Sequence, residues 1–351
     1  MSWIPSESVS GWLKGGFDLH LSHYDAPPTD HVADTAEVEA MRADDRFRFA
    51  NVISGWADFS NGRPVGGWAE ESGLLMGSTT VRLAVGRATF LGYSLPALRE
   101  IAVPDDDTVV LTQTVGGRTG VPLPRPVKHP PYVRWQAPIV WTTLALTLRR
   151  DGSSEVALVG ASAFPRHWVY DGRGAISAKS AVTDLKNWMD HSFGPRTPWG
   201  NQDSEALVVA AESAIERQLS GEIMSGKAGE RPEIRVLQEG HLLTRQGDVD
   251  DHVFLVLDGV LDVLVDDEQV GEVGPGAVLG ERAVLEGGLR TATVRARTRA
   301  RVARIPGAAL DSSSLQELAD GHRREDGSDR MDGSGGMDVA DGSGGAGAPG
   351  E

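Results

Sequence analysis

The sequence predicts a mainly β protein with flanking helices, in which an N-terminal β-barrel or sandwich is followed by a second β unit and a polar tail. Three observations carry this expectation. All nine Trp and all four Tyr lie between Trp3 and Trp199, and Phe254 is the one Phe beyond Phe193, so the chain changes character near residue 200. Short runs of β-branched and aromatic residues, punctuated by Gly and Pro, recur through the N-terminal half, as strands require. The end of the chain repeats Asp-Gly-Ser-Gly-Gly at 332–336 and 341–345 with no aromatic residue, so it lacks the apolar surface that would offset the entropy of ordering.

In chain order, the runs Phe47 to Phe59, Thr79 to Leu91, Thr108 to Val115, Tyr132 to Leu148, Glu155 to Ala161 and His167 to Tyr170 read as strands. Val140 to Leu148, the turn dipeptide Asp151-Gly152 and Glu155 to Val159 read as a hairpin. The segment Val121 to Pro131 carries five prolines without backbone donors, which predicts a stiff connection crossing outside the sheets. Ala181, Leu185, Trp188 and Met189 share a helical face, stopped by Phe193-Gly194-Pro195. Leu207, Ala211, Ile215, Leu219 and Ile223 recur every four residues after Asp203 or Ser204, which predicts an amphipathic junction helix over 203–224. The resulting division is 1–200, a β-rich Trp-rich domain; 201–229, a linking helix; 230–320, a second β domain; and 321–351, a disordered Gly- and Asp-rich tail.

Composition removes several classes of function. The 351 residues suffice for about two domains at roughly 150 residues each. No run of about 18 apolar residues exists, so no membrane partner is expected, and Met1 to Glu7 has neither the basic cluster nor the apolar core of a leader, which predicts a cytoplasmic location. Cysteine is absent, excluding disulfides, thiolate metal sites and cysteine nucleophiles. The formal charge of −16 disfavours nucleic acid and acidic membranes, although residues 311–351 supply a net of −7 of it.

The residues with the most specific spacing lie between Glu233 and Ile305. Leu243-Thr244-Arg245-Gln246-Gly247-Asp248 is followed by the apolar strand Val253 to Leu257 and by Gly259. Leu279-Gly280-Glu281-Arg282-Ala283-Val284 is followed, after five residues, by Arg290-Thr291-Ala292-Thr293-Val294-Arg295-Ala296. Together these resemble the cyclic-nucleotide-binding domain family of catabolite activator proteins and protein kinase A regulatory subunits, with Asp250 standing where a small residue is usual and Thr244 where an apolar one is. The resemblance implies a β jelly-roll shell and a cyclic-nucleotide ligand, cAMP or cGMP, with no further cofactor. It implies Gly280, Glu281, Arg282, Ala283, Arg290, Thr291 and Ala292 as ligand-binding residues, with Glu281 on the ribose and Thr291 influencing the choice of ring.

The chemistry of these residues agrees. Gly280 lets the backbone approach a ligand closely, and Glu281-Arg282-Ala283 forms a short turn whose free N–H groups suit an anion. Arg290 has the planar fork that fits two phosphate oxygens and keeps its charge when buried. An ionised Glu281 is an acceptor alone, suited to a 2′-hydroxyl and not to a 2′-phosphate. Val260 to Val265, a turn at Asp266-Asp267 and Gln269 to Val273 form an alternating hairpin, and Arg299 to Ile305 alternates apolar residues with solvated arginines. Ser314-Leu315-Gln316-Glu317 predicts the start of a helix that Gly321 ends within about two turns, leaving no DNA-binding domain and the base to be covered by an abbreviated lid, a partner subunit or the N-terminal half.

The remaining constellations are weak. His20 and His23 are spaced His-x-x-His and His129, His167 and His191 are scattered, but no carboxylate cluster joins them, so no metal is expected. Ser153, Ser154 and Ser162 lie in no Gly-x-Ser-x-Gly elbow, and no catalytic residue is assigned. The Trp residues serve either to line an apolar cavity or to pack a core. Three readings follow: a cyclic-nucleotide receptor relaying occupancy to the N-terminal β domain; a nucleotide-regulated carrier or enzyme acting on an apolar small molecule in the N-terminal barrel; or a nucleotide-independent scaffold for a homo-oligomer or protein partner.

Overall fold

A computed structural model of the chain describes residues 1–5, 8–9, 14–18, 24–25, 28–60, 62–83, 86–126, 128–186, 188, 197–199, 208–225 and 231–332. His20, His23, His191 and the tail from 333 lie outside these.

The N-terminal half contains two open antiparallel sheets. The first orders its strands Val208–Ala210, Ile176–Ser180, Arg166–Tyr170, Ser2–Trp3, Phe49–Val52 and Gly73–Met76. The second runs Ser154–Ala161, Ile139–Arg149, Thr108–Arg118 and Tyr93–Ser94, with Leu98–Asp105 also pairing Thr108–Arg118. The two share core clusters: Phe49 meets Val115 and Val140, and Val169 meets Leu144 and Leu158. The expected hairpin is present, with Leu148 opposite Ser154 and Thr142 opposite Ala161.

Of the two expected forms, barrel or sandwich, the barrel is not found: no closed barrel exists among the described residues. Closure would need each hairpin to pair with its neighbour. Ser78–Leu83 with Gly86–Leu91, and Leu123–Pro126 with Val133–Gln136, instead form separate two-stranded ribbons. The proline-rich segment therefore stays outside the main sheets, as expected, but contributes a ribbon arm in place of a bare connection. Trp3, Phe47 and Trp168 pack a core, with the Trp3 and Trp168 rings 5.4 Å apart and edge-on. Trp56 and Trp135 are exposed.

The C-terminal domain is built from two four-stranded antiparallel sheets. One orders Glu233–Leu237, Ala300–Pro306, His252–Asp258 and Val278–Leu279; the other orders Leu242–Thr244, Thr293–Ala296, Leu261–Val265 and Glu268–Val273. The strand His252–Asp258 is apolar on both faces because it separates two cores. Val253, Leu255 and Leu257 meet helix residues Leu219, Ile223, Leu315 and Leu318, while Phe254 and Val256 meet Leu261, Val294 and Val302 of the sheets. Asp266 and Asp267 take φ of 52° and 66° at the expected hairpin turn, the left-handed geometry that two-residue hairpins use.

Both helices that pack on this sheet differ from their expected spans. The junction helix begins at Ala214 and ends at Ser225. Val208–Ala210, read as part of it, is a strand paired with Ile176–Ser180, since two consecutive β-branched residues complete the N-terminal sheet. The start is a capping box: Ser213 Oγ accepts from Glu216 N–H at 3.3 Å, and Glu216 Oε2 accepts from Ser213 N–H at 2.8 Å. The closing helix spans Ser312–Asp332, well past Gly321, with Asp311 as its cap rather than Ser314: Asp311 Oδ2 accepts Ser314 N–H at 3.0 Å. A helical Gly costs only about 1 kcal/mol relative to Ala. Beyond it, His322 and Arg323 are anchored to Glu281 and Glu286, at 3.1 and 2.7 Å, which offsets that cost.

The two halves share a buried seam. Arg166, 1% exposed, donates through Nη2 to Leu257 O at 3.1 Å and lies 3.3 Å from Asp258 Oδ1. Asp258 also accepts from Thr183 N–H and Oγ at 2.8 and 2.9 Å, and burial pushes its carboxyl up despite these partners. Lys179 pairs with Glu212, and Ala181, Val209 and Val260 form a small apolar cluster beside them.

Candidate functional site

The site forms where two sequence stretches close on each other. Gly247 N–H donates to Arg290 O and Arg290 N–H to Asp248 O, both at 2.8 Å, so the Gly-Asp turn clamps the backbone of the arginine. The strand Val278–Leu279 pairs with Leu255 and Phe254 and delivers the chain to Gly280. Gly280 has φ +94° and caps the short helix Glu281–Leu285. Two constraints select Gly there: the left-handed backbone, and a Cβ that would fall 2.2 Å from Arg290 Nη1 and 2.7 Å from His252 O. In the first turn, the N–H groups of Glu281, Arg282 and Ala283 precede the first i to i−4 bond, from Val284 N–H to Gly280 O at 3.3 Å.

Arg290 is 4% exposed, with its guanidinium 5.0 Å from the centre of the Phe254 ring. Nη2 donates to Asp250 Oδ2 and to His252 O, each at 2.7 Å. Nε and Nη1 are buried and have no hydrogen-bond partner among the described residues. The Asp250 carboxyl is lowered to about 2: burial pushes it up, but hydrogen bonds from Arg290 and His252 outweigh that. Arg304, expected on a solvated face, is half-buried and lies 3.9 Å from Asp250.

Glu281 is also 4% exposed. Its Oε1 faces His322 Nδ1 at 3.1 Å, and His322 Nε2 lies 3.8 Å from Glu216 Oε1 on the junction helix. Glu216 is buried, which pushes its carboxyl up, but hydrogen bonds from His322, Ser213 and Val278 leave it below the usual carboxylate range.

The residues predicted from sequence, Gly280, Glu281, Arg282, Ala283, Arg290, Thr291 and Ala292, all line one cavity of about 1060 Å³. Its inner wall is the sheet face bearing Val263, Val265 and Val294. The other walls are the junction segment from Val209 to Arg217 and the closing helix at Leu318 and His322. Sequence reasoning missed Glu216 and His322. The Ser213-x-x-Glu216 box was a readable signal for the first; nothing local marks the second. Asp250 stood out only as a departure from the family pattern.

The family model for the cyclic nucleotide-binding domain matches residues 234–314. A cyclic-nucleotide-binding-like domain is therefore present there, and the N-terminal part is unmatched. Among solved structures, a cyclic nucleotide-binding domain from Methylobacillus flagellatus is 22% identical, covering 31% of this chain and 71% of its own, with a TM-score of 0.28. The catabolite activator protein of Thermus thermophilus is 20% identical over 34% of this chain and 62% of its own, with a TM-score of 0.30. A structure of PKAR CBD2 bound to Sp-2Cl-cAMPS is 20% identical over 36% and 95%, with a TM-score of 0.27. No curated protein matches the chain.

Proposed function

We propose that this protein is a cytoplasmic cyclic-nucleotide receptor, binding cAMP or cGMP through Arg290 and Glu281 and relaying occupancy to the N-terminal half through the junction helix. The observation that carries the reading is that Nε and Nη1 of Arg290 have no hydrogen-bond partner among the described residues while buried in a cavity wall beside the open first-turn amides of Glu281 to Ala283. A buried donor without a partner costs about 1–3 kcal/mol. A singly charged phosphodiester supplies acceptors for both donors, and the fork geometry of a guanidinium suits two of its oxygens. Glu281 accepts the ribose hydroxyl on the other side of Gly280. The relay rests on the cavity walls: the junction segment belongs to the ligand site and to the seam with the N-terminal half. Occupancy shifts that half only if its two states differ in ligand affinity.

Calorimetry with cAMP and cGMP on the wild-type protein and on Arg290→Ala tests the binding step. The expected result is saturable heat for at least one nucleotide and a loss of affinity of about 100-fold or more in the variant, the scale of a buried charge-assisted pair. Absence of heat in the wild type, or equal affinity in the two proteins, would overturn the reading.

A further inference from the structure

His322 is a cavity-lining residue whose ring nitrogens face both the cassette and the junction helix. Its two ring nitrogens face two carboxylates whose side chains are only 6% and 10% exposed, Glu281 and Glu216. The carboxylates of Glu216, 3.8 Å away, and Glu281, at 3.1 Å, outweigh the opposing effect of burial and push the imidazole up to about 10. It is therefore a cation at neutral pH. Glu216 is fixed from its own side: Oε2 accepts Ser213 N–H and Oγ at 2.8 and 2.9 Å, and Oε1 accepts Val278 N–H at 3.2 Å, two residues before Gly280. Glu281 Oε1 is committed to His322, while its Oε2 takes no hydrogen bond among the described residues. A carboxylate with one oxygen engaged and the other open accepts one more donor, and a hydroxyl is the neutral group that supplies it.

Building on the receptor reading above, we propose that His322 is a positioning and specificity-determining residue for the ribose: by holding Glu281 Oε1 it reserves Oε2 for the 2′-hydroxyl, and through Glu216 it joins that contact to the junction helix. Two buried carboxylates around one imidazolium leave an excess of negative charge, so the same arrangement rejects a 2′-phosphate. A site built to pair a hydroxyl discriminates strongly against the analogue that lacks it, because its polar groups are then left unpaired. His322 makes no contact with Arg290 among the described bonds, and its contact with the cassette is through the Glu281 side chain.

The test is the ratio of affinities for each cyclic nucleotide and its 2′-deoxy counterpart, measured on the wild type, His322→Gln and His322→Arg. The wild-type ratio is expected at about tenfold or more. In His322→Gln it falls toward one, through weaker binding of the ribonucleotide, with the 2′-deoxy ligand bound as in the wild type. His322→Arg keeps a cationic donor and is expected to keep the ratio; it decides the matter if the glutamine variant does not fold. A ratio unchanged in His322→Gln, a ratio of one in the wild type, or a ratio of one in His322→Arg would overturn the proposal while leaving the receptor reading intact. No binding of any nucleotide to the wild type would overturn both.

Discussion

The two halves of this molecule are β structures organised by opposite rules. In the C-terminal domain, short hairpins stack into two sheets, the strand His252–Asp258 serves two cores, and Gly247 and Asp248 clamp the backbone of Arg290 from about forty residues away. In the N-terminal half, the first strand pairs Ser2 with His167 and Trp3 with Arg166, so its main sheet closes across nearly the whole domain. Three two-stranded ribbons remain outside the two main sheets, and the strand Leu98–Asp105 is exposed along its entire length. Local closure lets a site be written in short motifs; long-range closure spreads the information over separated residues.

The seam is where the comparison is easiest to break. Arg166→Met would take the buried cation away from Asp258, which keeps Thr183 and the charge of Arg301, and removing one member of a buried pair costs about 3–5 kcal/mol. Chemical denaturation is expected to register this loss in the N-terminal Trp signal and in nucleotide-dependent stabilisation alike. A loss below about 1 kcal/mol, or one confined to a single half, would mean that the halves fold as independent units.

A smaller effect of opposite sign is expected at Asp250. Its carboxylate holds Nη2 of Arg290 and offsets the positive charge that the guanidinium offers a phosphate at Nε and Nη1. Asp250→Ala is expected to tighten nucleotide binding about tenfold, or about 1.4 kcal/mol, while lowering the melting temperature of the unliganded protein. Weaker binding in this variant would make Asp250 a supporting group rather than an opposing charge.

A further effect is a pH dependence. His322 is raised in the folded chain from its ordinary 6.5 to about 10, so its contribution to stability is fully present below pH 6.5 and is lost as pH rises through 10. The stability difference between the wild type and His322→Gln is expected to shrink across that window. A difference that grows with pH would contradict the assigned charge.

Legibility in the sequence followed the same division. Gly280, Glu281 and Arg290 were readable together because they stand in a short run that resembles a family motif, and the folded chain brings them to one cavity. The hairpin ending at Asp151-Gly152 and the turn at Asp266-Asp267 were readable because turn chemistry is local. The barrel expectation failed because alternating strands specify faces and not partners: nothing in Leu123–Pro126 says that it pairs only with Val133–Gln136. The closing helix was cut short at Gly321 because the ion pairs that carry it onward, His322 with Glu281 and Arg323 with Glu286, join residues roughly forty positions apart. The junction helix was begun too early because its four-residue apolar spacing continued through Val208–Ala210, whose pairing with Ile176–Ser180 only the folded chain provides.

The central claim is that a ligand in the C-terminal cavity is felt by the N-terminal half. Every Trp lies at or before Trp199, so tryptophan emission reports that half alone. Titrating the wild type and Arg290→Ala with cAMP and cGMP while following this emission tests the claim most directly. The expected result is a saturable change in the wild type that coincides with the binding heat and vanishes in Arg290→Ala; binding heat with unchanged emission would contradict the relay.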